Sequence, residues 1–426
     1  MNGSGILRRL DWLTILLYAL LVFFGWLNIY STTSTELVSS YFDFGTLYGK
    51  QLFFAALSIF LAATILALDN SFFERFSSVF YVVSMLLLLG LFIFGKTIAG
   101  ATSWYDLGFF NFQPSELGKL TTALALAKYL SDIQTDLRRI KDQLYAILIL
   151  MVPIVLIFPQ PDPGSALVYF SLFFVLFREG LPLLYLAFSL LLILLFVTTL
   201  KFGVIWVAIG LGILTSLFFL FKKPNQKIAT LPLILFLMGC MAVSFSVDFV
   251  YTKVFEQRHR DRFSLWLDLE KDPQRLEQIK KTIGYNTYQA EKAIESGGFL
   301  GKGFLQGTRT KGDFVPEQHT DYIFSSVGEE WGFMGTASIV ILFTLFFLRL
   351  VVLAERQKRG FGRMYGYGVI SILLIHYFVN IGMVIGLLPT VGIPLPFFSY
   401  GGSGLIFFTA MLFILLKFDA GRLTEL

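Results

Sequence analysis

Charge is scarce in this chain. Of 426 residues only 15% are Asp, Glu, Lys or Arg, against about 25% in ordinary soluble domains. A soluble fold of this size has no interior large enough for the accompanying 56% hydrophobic content and mean hydropathy of +0.71. Cysteine is nearly absent. The lone Cys240 excludes an internal disulfide framework and a Cys-based zinc site, and in its apolar run it reads as a small buried or lipid-facing side chain. The three histidines, His259, His319 and His376, are far apart and show no metal-ligand spacing. The formal charge of +5 calls for no nucleic-acid partner, because Lys and Arg collect in the cytoplasmic loops of membrane proteins.

What the chain has instead is long apolar sequence, with 48 Phe. A spanning helix needs roughly 20 apolar residues. Twelve segments qualify or come close: 12–30, 49–68, 76–94, 116–131, 143–158, 165–178, 181–200, 203–221, 229–250, 333–353, 366–388 and 403–418. The expected fold is an all-α polytopic helical bundle forming one membrane domain over 1–426. The fourth and sixth segments are short and are expected to tilt, break or re-enter, which membranes tolerate only where protein or a wet cavity covers the backbone. No cleavable signal peptide is evident. Arg8 and Arg9 precede the first span, which reads as a retained helix entered from the cytoplasm. The short basic segments 137–141, 222–227 and 355–363 then fall on the cytoplasmic side, as do both termini.

One loop differs from the rest. Residues 251–332 are polar, mixed in charge and expected on the outer side. Their first part, 256–281, reads as solvated helix laced by charge pairs. Their second part, Ser296-Gly-Gly-Phe-Leu-Gly-Lys-Gly-Phe-Leu-Gln-Gly-Thr308, calls for tight turns and close backbone approach.

Ionisable residues beside apolar spans are costly and so are functional candidates. In Gln113-Pro-Ser-Glu-Leu-Gly-Lys119, Pro114 suits a first helical turn, and Glu116 and Lys119 share a helix face. Two readings stand: an ion pair serving a pyrophosphate, metal or carboxylate, or a Glu favoured by the helix dipole. In Pro159-Gln-Pro-Asp-Pro-Gly-Ser165, Asp162 is foremost a helix N-cap. Phe314-Val-Pro-Glu-Gln-His-Thr-Asp-Tyr-Ile-Phe324 and Gly328-Glu-Glu-Trp-Gly332 crowd Glu317, His319, Asp321, Glu329 and Glu330 where the large loop re-enters the membrane. Desolvation and like charge raise carboxylate pKa values there, which suits a general base, although Asp321 can also cap the next helix. Finally, Leu388-Pro-Thr-Val-Gly-Ile-Pro-Leu-Pro-Phe-Phe-Ser-Tyr-Gly-Gly-Ser-Gly404 interrupts apolar sequence with three prolines and four glycines. This pattern reads as a broken or re-entrant segment.

These four stretches, in this order, resemble the SEDS family (shape, elongation, division and sporulation), and its rod-shape branch more than its division branch. The likeness spans the chain apart from about 203–250. It implies a peptidoglycan glycosyltransferase that polymerises lipid II. It places the essential acid on Asp321, the helical Glu and Lys on Glu116 and Lys119, and the acid of the Gln-Pro-Asp motif on Asp162. It also implies a class B penicillin-binding protein and other elongation-complex membrane proteins as partners, in the bacterial cytoplasmic (inner) membrane. With that chemistry in mind, Arg258 and Arg262 are candidate phosphate clamps. His319 and Ser403 are candidate substrate contacts, and a divalent Mg or Mn ion is a candidate cofactor. A transporter that flips lipid-linked sugar and a division-specific polymerase are the alternatives. The departures are a surplus hairpin near 203–250, since the family has ten spans, Pro163-Gly164 where Leu-Gly is usual, Glu295 where Gly is usual, and a loose match over 268–281.

Overall fold

The computed structural model describes residues 8–34, 42–98, 100–108, 110–221, 230–282, 284–312 and 314–422. The chain divides into two compact units, Met1–Leu181 with Asn286–Leu426, and Pro182–Tyr285. The basic stretch 222–227 lies outside the described residues.

The first unit opens with three long apolar helices, α1 (Trp12–Thr33), α2 (Leu47–Ala67) and α3 (Asn70–Phe94). A small antiparallel sheet follows, β1 (Lys96–Ile98), β2 (Ala101–Asp106) and β3 (Asn111–Phe112), in the order β1-β2-β3. Then come α4 (Pro114–Leu130), α5 (Ile140–Ile157), α6 (Pro163–Phe170) and α7 (Phe173–Arg178). The second unit holds α8 (Leu183–Phe202), α9 (Val204–Leu220), α10 (Thr230–Phe249) with a π-helical turn at Val250–Val254, α11 (Gln257–Leu267) and α12 (Pro273–Lys281). The chain continues through α13 (Tyr285–Gly297) and α14 (Thr308–Lys311), and ends on α15 (Ile323–Glu355), α16 (Gly360–Val384) and α17 (Gly402–Gly421).

Each of the twelve expected segments is helical, and nine helices among the described residues are long and apolar enough to cross a membrane. The chain is a multi-pass membrane protein. The three that fall short have local reasons. α9 has only 17 residues. The sixth segment breaks between α6 and α7 at Ser171 and Leu172. α4 is also 17 residues long and carries Glu116, Lys119, Thr121 and Thr122 as buried polar side chains. It is a core helix, not a lipid-facing one, and packs on α3, α5 and α16. α17 and α16 are the most enclosed spans, with 83% and 67% of their apolar windows buried, whereas those of α8 and α10 are 11% buried.

In the second unit, α11 and α12 carry the expected charge pairs. Arg258 pairs with Glu256 at 2.7 Å, Arg275 with Glu270 at 3.0 Å, and Lys281 with Glu277 at 2.6 Å.

α15 begins ten residues earlier than its apolar run. Residues 323–330 are helical and buried although they include Glu329 and Glu330, Trp331 is exposed, and the helix then kinks at Gly332, whose φ of 62° suits glycine. A Cβ at Gly332 would lie 2.3 Å from the Gly301 nitrogen, so the kink and the glycine-rich loop meet backbone to backbone. This is the close approach that the glycines of 296–308 call for.

Candidate active site

Four stretches far apart in sequence converge in the first unit. Gln113 ends β3 and precedes Pro114 at the first turn of α4. Its amide nitrogen donates to Asp162 Oδ2 at 3.1 Å. Asp162 caps α6, its Oδ1 accepting from the Ser165 backbone N–H at 3.0 Å. The start of α6 lies against the loop between α16 and α17: a Cβ at Gly164 would come within 2.7 Å of Ile393 Cγ2. Ser403, at the start of α17, accepts from the Gln113 N–H at 3.2 Å and donates to the Asn111 carbonyl at 3.1 Å. Its hydroxyl therefore ties α17 to β3.

The loop from 385 to 401 has no helix and turns through positive φ at Gly386, Gly392 and Phe397. It is not an ordinary surface loop, because Ile393, Leu395, Phe397 and Phe398 are all buried. It holds the segment before α15 by backbone bonds. The Tyr400 N–H donates to the His319 carbonyl at 2.8 Å, and Ser399 Oγ to the Thr320 carbonyl at 2.6 Å. Asn380 on α16 donates to both the Asp321 carbonyl and the Ile393 carbonyl, each at 2.8 Å. The His319 ring rests edge-on against Tyr400, with centroids 5.7 Å apart.

Asp321 is thus fixed by its backbone while its side chain is left open. The helix-cap alternative does not hold: α15 has no side-chain cap, and its N-cap residue is Tyr322. The Asp321 carboxylate has no hydrogen-bonding or ion-pairing partner among the described residues. Its Oδ2 would stand 3.1 Å from a Cβ at Gly392, so glycine there leaves room over the acid. Desolvation, followed by the neighbouring Glu317 and Asp162 carboxylates, pushes its pKa up to about 7. Glu317 itself accepts from Thr320 Oγ1 at 2.8 Å.

Glu116 and Lys119 pair as their spacing implies, at 2.6 Å, but both are almost fully buried. Lys119 Nζ also lies 2.9 Å from His376 Nε2, and His376 Nδ1 lies 3.1 Å from the Pro394 carbonyl. A cation so enclosed is engaged inside the protein, beneath the loop that covers Asp321.

Glu329 and Glu330 part from Asp321 in kind. Glu329 is inaccessible and accepts from Lys302 Nζ at 2.6 Å, from the Arg309 N–H at 2.9 Å, and from the N–H and Oγ1 of Thr310 at 2.8 and 2.6 Å. Glu330 accepts from Ser31 Oγ. These two acids fasten the glycine-rich loop and α1. Arg258 and Arg262 lie on α11 of the second unit.

The profile of the family described as "Cell cycle protein" (FtsW/RodA/SpoVE) matches residues 11–422. The chain belongs to the FtsW/RodA/SpoVE family. It is 32% identical over 352 residues to "Peptidoglycan glycosyltransferase MrdB" of Escherichia coli (strain K12), covering 82% of this chain and 79% of that protein. It is 32% identical over 388 residues to "Peptidoglycan glycosyltransferase RodA" of Treponema pallidum (strain Nichols), covering 86% and 87%. A solved structure described as "Structural coordination of polymerization and crosslinking by a peptidoglycan synthase complex" aligns with a TM-score of 0.68 at 27% identity, over 98% of this chain and 99% of that one.

Against this FtsW/RodA/SpoVE background, the polar residues that sequence reasoning missed are Gln113, His376, Asn380 and Ser399. His376 and Asn380 had a legible signal: two polar residues at i,i+4 within an apolar span face one side of the helix. Metal-ligand spacing was the wrong test for His376, whose partners are a lysine and a carbonyl. Among the described residues no three His, Cys, Asp or Glu group together, whereas a Mg ion is commonly held by one or two carboxylates with substrate phosphates.

Proposed function

We propose that this chain polymerises lipid II into glycan strands at the outer face of the bacterial inner membrane, serving cell-wall elongation and shape, with Asp321 as general base. The observation that carries this reading is the Asp321 carboxylate, held by its backbone beside Gly392, without a partner among the described residues, and pushed up to about 7. A base is most effective with a pKa near the working pH.

In the reaction the acceptor 4-hydroxyl oxygen forms a bond to the donor's anomeric carbon, with inversion. The bond from that carbon to the pyrophosphate breaks, and undecaprenyl pyrophosphate leaves with the electron pair. The hydroxyl proton passes to Asp321. The leaving group needs no protonation, so the acid–base pair of ordinary glycosidases is not required. Asp162 raises the basicity of Asp321 through its charge while capping α6. The burial of Lys119 and Glu116 supports a role beneath the site rather than on the pyrophosphate. Arg258, exposed on α11, and Arg262 on the same helix remain the proposed phosphate contacts, with the bidentate chemistry arginine offers. His319 is the proposed acceptor contact beside Asp321, and Ser403, whose hydroxyl is engaged by Gln113 and Asn111, supports the site from behind in this reading. A class B penicillin-binding protein is the partner that would cross-link the new strand, consistent with the synthase complex that this fold matches.

The test is purified protein with lipid II in detergent. Wild type yields glycan polymer and Asp321→Asn yields none while remaining folded. Translocation of lipid-linked sugar in vesicles without any polymer in detergent would instead identify a transporter and overturn the proposal.

A further inference from the structure

His376 is enclosed completely, yet each of its ring nitrogens meets a polar atom. Lys119 Nζ lies 2.9 Å from Nε2 and the Pro394 carbonyl 3.1 Å from Nδ1. An ammonium has donors and no acceptor, so Nε2 must accept from Lys119. The ring proton is then on Nδ1, aimed at the Pro394 carbonyl. Glu116, 2.6 Å from Nζ, balances the charge that imposes this tautomer. Phe408 closes the space, its ring centroid 4.9 Å from that of His376. One turn further along α16, Asn380 donates to the Ile393 carbonyl and to the Asp321 carbonyl. Two consecutive carbonyls of the loop are thereby gripped from one helix face, and the second grip is shared with the backbone of Asp321. Gly392, which lies over Asp321 Oδ2, immediately precedes them.

We infer that His376 and Asn380 are positioning residues for the polymerisation step, acting as a two-rung clamp that sets the Gly392–Pro394 backbone over Asp321, with the Glu116–Lys119 pair serving to fix the His376 tautomer. Neither residue touches the reacting atoms. The inference rests on Asp321 being the base. It gives the buried ion pair a function that its enclosure permits: the pair orients an imidazole, and the imidazole orients a loop. Displacing a catalytic contact by about 1 Å costs on the order of 100-fold in rate, so a loop held by two side-chain rungs is sensitive to either.

Two isosteric exchanges separate the ring nitrogens. His376→Gln keeps a polar group near Nε2 for Lys119 and removes the Nδ1 donor. His376→Asn places an amide N–H near Nδ1 and gives up the Lys119 contact. The expected result, with lipid II and the full chain in detergent, is a roughly 10- to 100-fold fall in kcat for His376→Gln at little-changed KM. His376→Asn recovers most of that loss. The acid limb of the pH–rate profile, set by Asp321 with Asp162 and Glu317 as its charged neighbours, moves down in the Gln variant as water reaches the acid and returns in the Asn variant. Asn380→Asp, which removes the other rung, gives the same kcat loss and serves if His376→Gln does not fold. Wild-type kcat in the folded Gln or Asp variant, or equal losses for Gln and Asn, would overturn the inference. Asp321→Asn runs in parallel. An active Asp321→Asn sinks the base assignment, whereas an inactive one beside an unaffected His376→Gln sinks the clamp alone.

Discussion

Two glycine-rich loops are pinned to helices in the first unit, and they are pinned in opposite ways. The loop 297–312 wraps an acid: Glu329 receives Lys302, two backbone N–H groups and the Thr310 hydroxyl. The loop 385–401 is gripped by donors, with His376 and Asn380 taking its carbonyls, and beside it the Asp321 carboxylate receives nothing from the described residues. Both acids come from the same stretch around the start of α15. A carboxylate whose lone pairs are filled is held in its charged form and organises backbone, and it has no capacity left for a proton. One left empty in a desolvated position is poised to take one. Counting acids in the motif could not separate these roles, because the separation lies in who donates to them.

The comparison breaks most visibly at Asp321. Asp321→Asn is expected to lower polymerisation by ~10²–10⁴, measured as glycan product from lipid II, with no loss of fold. Glu329→Ala should do the reverse in kind, costing on the order of 3–5 kcal/mol of stability by leaving Lys302 and its neighbours unpaired. A melting curve in detergent reads this, and an unchanged midpoint would remove Glu329 from the scaffold. pH sharpens the contrast. The polymerisation rate should rise as pH passes through about 7, where Asp321 loses its proton. Because its pKa is raised on folding from 3.8, the folded state binds that proton more tightly than the unfolded chain does. Stability from this group is therefore fullest below about 4 and is lost as pH climbs to about 7. The inactive Asp321→Asn protein should melt at or above wild type at pH 8, with the gap closing towards pH 4.

Much of this was legible in the chain. Apolar runs of spanning length locate every one of the twelve segments, and the shortness of the fourth and sixth is itself the mark of their departure from plain lipid-facing spans. The apolar run marks only 333–353 of α15, because Glu329 and Glu330 interrupt the hydropathy of a buried helical turn. The Glu116–Lys119 pair follows from i,i+3 spacing, but its burial does not. His376 and Asn380 share a helix face at i,i+4, but the partners of His376, Lys119 and Pro394, lie on other elements and are not legible from that spacing.

Sequence by itself determined that the chain lives in a membrane, that it is helical, and that acids gather where the long loop returns to α15, because hydropathy and local spacing are properties of neighbours along the chain. Only the tertiary structure decided which acid stays unpartnered. Hydrogen-bond donors reach Glu329 and Asp162 from residues as distant as Lys302 and Gln113, and desolvation depends on what packs overhead, so the raised proton affinity of Asp321 is a property of the folded chain alone.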